Sequence, residues 1–249
     1  MSAERWFERC GQVLERIRAT QSEVIRQAAE LIAGAAENGA GLHFFDTGHC
    51  THEAIHRAGG LCMLRPLRFS LNVETHPAPR RAQELAARRE RNRDRLDEEL
   101  AALAVERSDL APGDVLIMSS VSGKAATVVE VALAAKRMGA RTVAITSVSY
   151  SSAVDSRHSS GKRLFEVAEV VVDNCGEVGD AALNVDGLDT AVAPTSGVAF
   201  CYVIWALVAE AVARMLARRI QPHVYRSVNL PDGEEFNTHA ETAYRETGA

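Results

Sequence analysis

What this 249-residue chain lacks narrows its identity quickly. It has no Cys-x-x-Cys pair. The five cysteines, Cys10, Cys50, Cys62, Cys175 and Cys201, are scattered and odd in number. That excludes a paired-thiol zinc site or a disulfide framework and points to reduced thiols in a cytoplasmic protein. No uninterrupted apolar run is long enough for a bilayer. The longest apolar region, 198–216, is broken by Glu210 and Arg214 and reads as a buried helix, so no membrane partner is expected. The first residues, Met1 to Trp6, carry no apolar core of the kind a signal peptide needs. An excess of positive charge is also missing. A net charge of −5 argues against a basic footprint over the whole surface, and no nucleic-acid partner is expected. No GxGxxG follows a strand pattern, and Ser122-Gly-Lys124 and Gly161-Lys162 fall short of GxxxxGK[ST], so no organic cofactor is implied. Aromatic residues make up only 5%, yet hydrophobic residues reach 47%; a sizeable core is available, built mainly from aliphatic side chains.

What is present alternates between two periods. Residues 4–37 carry apolar positions at helical spacing, from Trp6, Cys10 and Val13 to Leu31 and Ile32, and Asn38-Gly39 is a stop signal. The segment reads as one bent helix or two. A first strand is expected in 41–48, a short helix over 51–58 and a second strand over 61–67. Pro77 and Pro79 then mark an irregular connection. A charged helix follows over 81–107, whose interleaved arginines and carboxylates read as a solvated face. Strands are expected at 115–119, 141–146 and 170–173, with helices over 124–138 and 195–218 and a helical turn over 162–169. The serine-rich stretch 147–160, residues 176–193 and the tail from Gln221 show no regular period. Strands alternating with helices imply an α/β fold, a parallel sheet covered on both faces. The division expected is a helical segment over 1–38, a single domain over 39–220 and a tail over 221–249.

The densest signal is Asp114-Val-Leu-Ile-Met-Ser-Ser-Val-Ser-Gly-Lys124. An apolar strand ends in Ser119, Ser120 and Ser122, passes Gly123 and opens at once into a helical pattern. Free backbone N–H groups at such a terminus, flanked by hydroxyls, suit a phosphate. Lys124 in the first helical turn opposes the helix dipole, and a bound anion would offset that. Ligands of parallel sheets lie outside the carboxyl ends of the strands. A second glycine turn, Phe45-Asp-Thr-Gly-His-Cys50, falls at another such end.

These two turns resemble those of the sugar isomerase (SIS) domain family. Thr146-Ser-Val-Ser-Tyr-Ser-Ser, Ser156-Arg-His-Ser-Ser-Gly-Lys162, Asp173-Asn-Cys-Gly176 and Gly179-Asp-Ala181 are similar to a bacterial branch of phosphosugar isomerases and phosphosugar-binding proteins. Phosphoheptose isomerases and N-acetylmuramic acid 6-phosphate etherases are among the relatives. The resemblance implies a five-stranded parallel sheet between helices, a homodimer or homotetramer, and a small sugar phosphate as ligand. It places Ser120 and Ser122 on the phosphate, and Thr47, Gly48 and Cys50 along the same pocket. Asp46 stands where many relatives have glycine, Cys50 where serine is usual, Val121 where a polar residue is common and Ala125 where threonine is frequent.

Removing the proton beside the carbonyl of an open-chain sugar phosphate needs a carboxylate or imidazole within hydrogen-bond reach. Four candidates stand out: Glu53 just past the first turn, Glu74 and His76 in a nonperiodic stretch, and His49 directly after Gly48. The substrate-binding set expected is Thr47, Gly48, Cys50, Ser119, Ser120, Ser122, Gly123, Lys124 and His158. His52 and His56, four apart, offer no third ligand, so no metal is expected. Abstraction ends either in β-elimination, as in a dehydratase or lyase acting on a hexose or (N-acetyl)amino-sugar 6-phosphate, or in aldose–ketose isomerisation. A non-catalytic phosphosugar sensor is the alternative of a different class.

Overall fold

The computed structural model describes Ser2–Gly48 and Cys50–Ala249. Five parallel strands form the central sheet: β1 (Leu42–Asp46), β2 (Leu64–Pro66), β3 (Val115–Ser119), β4 (Arg141–Thr146) and β5 (Val170–Asp173), in the order β2-β1-β3-β4-β5. The chain crosses from one direction of strand addition to the other between β1 and β3. A crevice opens at that point, beyond the carboxyl ends of the two strands.

Side chains alternate across the sheet as the pleat requires. Leu42, Phe44, Val115, Ile117, Val143, Ile145, Val170 and Val172 lie in one buried cluster with α1 (Ser2–Glu37) and α8 (Ser196–Ala217). Phe45, Leu116, Met118 and Ala144 lie in the other, with α4 (Arg93–Glu106), α5 (Ala126–Arg137) and α7 (Leu164–Val167). Both faces of β3 are covered, and all of its residues are buried, as its unbroken apolar run foretells. Residues 4–37 form one helix, α1, rather than two. Ala28, Ala29, Ala33 and Ala36 on its buried side permit close packing on α8, and Arg214 of α8 and Arg218 just past its end pair with Glu30 and Glu37 at the rim. α8 is long and apolar enough to cross a membrane, but here Phe200, Val203, Ile204 and Leu207 are core residues.

Four segments differ from the expectation. The charged helix 81–107 is divided at Asn92 into α3 (Pro79–Arg91) and α4. The Asn92 side-chain amide donates to the Arg88 carbonyl at 2.9 Å, and such local bonding competes with helix continuation. The serine loop contains α6 (Val148–Ser152), capped by Ser147, whose hydroxyl accepts from the Tyr150 amide. Residues 176–193 contribute strands to a small antiparallel hairpin, β6 (Ala181–Leu183) with β7 (Val192–Pro194). The tail forms α9 (Gly233–Thr247), set against Cys62 and Tyr225 through Ala240, Phe236 and Tyr244. α2 (Thr51–Ala54) follows the first turn and is shorter than the helix expected over 51–58.

Candidate functional site

Two turns meet at the crevice because β1 and β3 are in register, with Asp46 opposite Ser119, and the Thr47 amide reaches the Ser119 carbonyl at 3.4 Å. The second turn, 119–125, is held through its carbonyls. The Val121 carbonyl accepts from the Ser147 amide at 2.9 Å and the Thr146 hydroxyl at 3.1 Å. The Ser122 carbonyl accepts from the Ser151 hydroxyl at 2.7 Å, Gly123 from the Leu164 amide at 2.8 Å, and Lys124 from the Arg157 amide at 2.9 Å. The amides are left over: those of Ser122, Gly123, Lys124, Ala126 and Thr127 meet no acceptor among the described residues. α5 starts after Ala125, which has no side chain to cap it, so the helix opens with unsatisfied N–H donors and the positive end of its dipole. Gly123 is required here. Its φ is +56°, and a β-carbon would sit 3.0 Å from the Ser151 hydroxyl and 3.1 Å from Leu164.

The first turn is organised by a carboxylate instead. Asp46 accepts from the Cys50 amide at 2.6 Å. The Cys50 thiol is buried and hydrogen-bonded to Ser119; burial, reinforced by the negative charge of Asp46, pushes its pKa up to about 12. Such a thiol stays protonated and is no nucleophile. The short helix α2 begins on this turn and carries Glu53, half-buried and 3.4 Å from Arg57. Its charge reaches Cys201 on α8, whose thiol pKa is raised first by burial and then by Glu53.

Two cavities flank Phe45. One, of about 220 Å³, lies between Thr47, the opening of α5 (Ala125–Thr127), Arg93 and Arg157. Arg157 is 2.6 Å from Asp94 of α4, which holds its guanidinium over that space. The other, of about 540 Å³, runs from Asp46, Gly48 and His52 to Arg68 and Ser70, with Phe45 stacked on Phe69 at 5.6 Å. The smaller cavity sets the open end of α5 and two guanidinium groups beside the carboxylates of Asp94 and Asp97, and the larger one sets Asp46 and His52 beside Arg68.

Comparison with known proteins decides the family. A profile described as SIS domain matches residues 5–147, more than half of the chain and inclusive of both turns. The chain belongs to the SIS domain family. Its relatives include UPF0309 proteins of Shouchella clausii, 35% identical over 241 residues (94% of this chain, 93% of the relative), and of Geobacillus kaustophilus, 34% identical over 245 residues (97% and 94%). Among solved structures, a phosphoheptose isomerase from Francisella tularensis superposes with a TM-score of 0.52 at 15% identity, covering 84% of this chain and 96% of that one. A second, from Neisseria gonorrhoeae, gives 0.51 at 16% identity, covering 82% and 93%. These likenesses are of fold: the SIS sheet between helices, with an N-terminal helix.

Within this SIS domain the expected residues do not all converge. Thr47, Gly48, Cys50, Glu53, Ser119, Ser120, Ser122, Gly123 and Lys124 belong to the two turns at the crevice, Ser119 and Ser120 buried and Ser122 partly so. His49 lies outside the described residues. Glu74 is exposed, 3.5 Å from the Asn72 amide group. His76 lines a separate groove of about 770 Å³ with Arg81, Arg88 and Arg89. Among the described residues no hydrogen bond or ion pair joins Glu74 or His76 to either turn. His158, expected at the ligand, is instead a buried tie between elements. One ring nitrogen is 2.9 Å from Glu130 of α5 and the other 2.8 Å from the Ser160 hydroxyl, so neither is free. Among the described residues no group of three or more His, Cys, Asp or Glu could hold a metal ion. Sequence reading passed over Thr127, Arg93 and Arg157. Thr127 lies three positions inside the helix expected from 124, and Arg157 adjoins the histidine that drew attention.

Proposed function

We propose that this SIS domain binds a hexose or (N-acetyl)amino-sugar 6-phosphate and acts on it by proton abstraction beside the carbonyl, ending in β-elimination. The observation that carries the reading is the set of unpaired amides from Ser122 to Thr127, the last of which, at Ala126 and Thr127, border a cavity also lined by Arg93 and Arg157, with Asp94 paired to Arg157 and Asp97 at its edge. A phosphate there gains N–H donors, the α5 dipole and a guanidinium. Ser120, Ser122 and Thr127 add hydroxyls around the same helix opening. The sugar then extends past Phe45 toward the first turn.

Glu53 is the base in this reading, because it alone of the two glutamates considered stands on the helix that the first turn opens. The carboxylate takes the proton from carbon 2 of the open-chain sugar. The electron pair left behind forms an enediolate, whose collapse makes the carbon 2–carbon 3 double bond and breaks the bond from carbon 3 to its oxygen substituent. The proton held by Glu53 is available to that departing oxygen. The step balances without redox change, and no organic cofactor enters it. Assembly as a homodimer or homotetramer belongs to the same reading, supported by Val198, Tyr202 and Leu216, exposed apolar side chains along α8.

The test is incubation of the protein with a panel of sugar 6-phosphates. A new ultraviolet-absorbing enone is the expected result. Accumulation of ketose replaces elimination by isomerisation, and saturable binding without turnover in any member of the panel makes the domain a sensor. Absence of both binding and turnover across the panel ends the reading.

A further inference from the structure

A second polar cavity lies away from both turns, on the sheet face otherwise packed by α4 and α5. Alternation along β1 puts His43 on the same face as Phe45, and pairing places Arg65 of β2 and Leu116 of β3 beside it. Phe45, Leu67, Leu116 and Met118 make that face apolar. An imidazole and a guanidinium on such a face break the local rule, and positions that do so are commonly functional.

The cavity is about 450 Å³ and is lined by His43, Arg65, Arg68, Arg107, Asp114 and Tyr244, with Asp109 exposed at its rim. Asp114 is buried and fully engaged. It accepts from the Gly41 amide at 2.6 Å, the Ala111 amide at 2.9 Å and His43 Nε2 at 2.9 Å. The carboxylate can only accept, so His43 Nε2 carries the proton. The other ring nitrogen, Nδ1, has no partner among the described residues. Gly41 fits this pair closely: a β-carbon there would lie 2.8 Å from His43 Nε2. Arg65 is spent on Glu241, through bonds of 3.1 and 2.7 Å, and rests on the Tyr244 ring. Arg68 and Arg107 form no ion pair among the described residues.

From this we infer that the cavity is a second binding site for a small oxyanion of the phosphate class, held by Nδ1 of His43 and the guanidinium groups of Arg68 and Arg107. The two guanidinium groups bring donors and Nδ1 brings an acceptor for the P–OH of a hydrogen phosphate to one space, and the only carboxylate lining it that is not already engaged is the exposed Asp109. The inference does not depend on the function proposed for the two turns. Arg68 also lines the first-turn cavity, so the decisive variant is at Arg107, an exposed residue whose replacement spares the core.

The experiment is a titration of the full chain, isotopically labelled at histidine, with inorganic phosphate at fixed pH and ionic strength. The His43 ring signals are assigned with His43→Gln or, if that variant does not fold, by their loss of the Asp114 bond in Gly41→Ala. The expected result is a saturable shift of the His43 signals, weakened about tenfold or more by Arg107→Glu and unchanged by Ser122→Ala. His43 signals that stay still while phosphate saturates the second turn, or an affinity unaltered in Arg107→Glu, overturn the inference.

Discussion

The two turns at the crevice sit on the adjacent strands β1 and β3, yet they are built in opposite ways. The second turn is pinned through its carbonyls by Ser147, Thr146, Ser151, Leu164 and Arg157, which leaves its amides pointing at an unfilled role. The first turn spends a carboxylate on its own Cys50 amide. One turn therefore presents donors and the other an acid. In the proposed function that difference orients the ligand, with phosphate at the second turn and chemistry at the first. The Asp46 carboxylate strengthens the polarity, since a phosphate beside it would meet like charge.

The largest effect that sharpens this contrast is on rate. Glu53→Gln is expected to lower turnover of the preferred sugar phosphate by about 10²–10⁴-fold while leaving its binding constant nearly unchanged, read by enone formation and by calorimetry. Full activity in this variant removes Glu53 from the chemistry. Next is the second turn itself. Gly123→Ala is expected to cost about 1–3 kcal/mol in urea unfolding, from the positive φ together with contacts near 3.0 Å to Ser151, and to weaken phosphosugar binding with it. A smaller effect should follow from Ser122→Ala with Thr127→Val, about tenfold in affinity for every phosphosugar tried, whereas Asp46→Asn should not weaken phosphate binding. Equal losses at both turns would erase the distinction drawn between them.

How much of this could be read from the chain depends on how strongly each segment is patterned. β3 and β4 announce themselves because burial on both faces requires runs such as Val115–Met118. The SIS turns are legible because serine and glycine must gather where a strand gives way to a helix. α9 is not, since it buries only Gly233 and Ala240 and is fixed by particular pairs, Arg65 with Glu241 and Glu241 with Tyr225, that leave no period. The hairpin of β6 and β7 has strands of three residues, too short to show alternation. The role of His158 was hidden for another reason. Its partner Glu130 lies on α5, far away in the sequence, and a histidine at a serine-rich loop looks the same in sequence whether it faces ligand or core.

That tail also supplies a pH test. Hydrogen bonds from Arg65 hold the Glu241 carboxyl below its ordinary value, against the opposing pull of burial, with Tyr225 assisting. A depressed carboxyl contributes stability that is complete above its unfolded value, near 4.5, and is lost as pH falls through the lower folded value. Glu130 behaves likewise: burial works to raise it, and hydrogen bonds from Arg137 and His158 outweigh that. Thermal stability is therefore expected to be flat above pH 5 and to decline below about 4.5, and the decline should be shallower in Glu241→Gln. The smallest effect concerns thiols. Cys50, raised to about 12, and Cys62, raised to about 11, should resist a thiol reagent at neutral pH in the folded protein and react on unfolding.

The most direct measurement follows the backbone amide signals of both turns while a sugar 6-phosphate, and separately inorganic phosphate, is titrated into the protein. The prediction is that the amides from Ser122 to Thr127 shift with either compound, and that those around Thr47 and Glu53 shift only with the sugar. Shifts from inorganic phosphate at the first turn, with the second turn silent, would contradict the account.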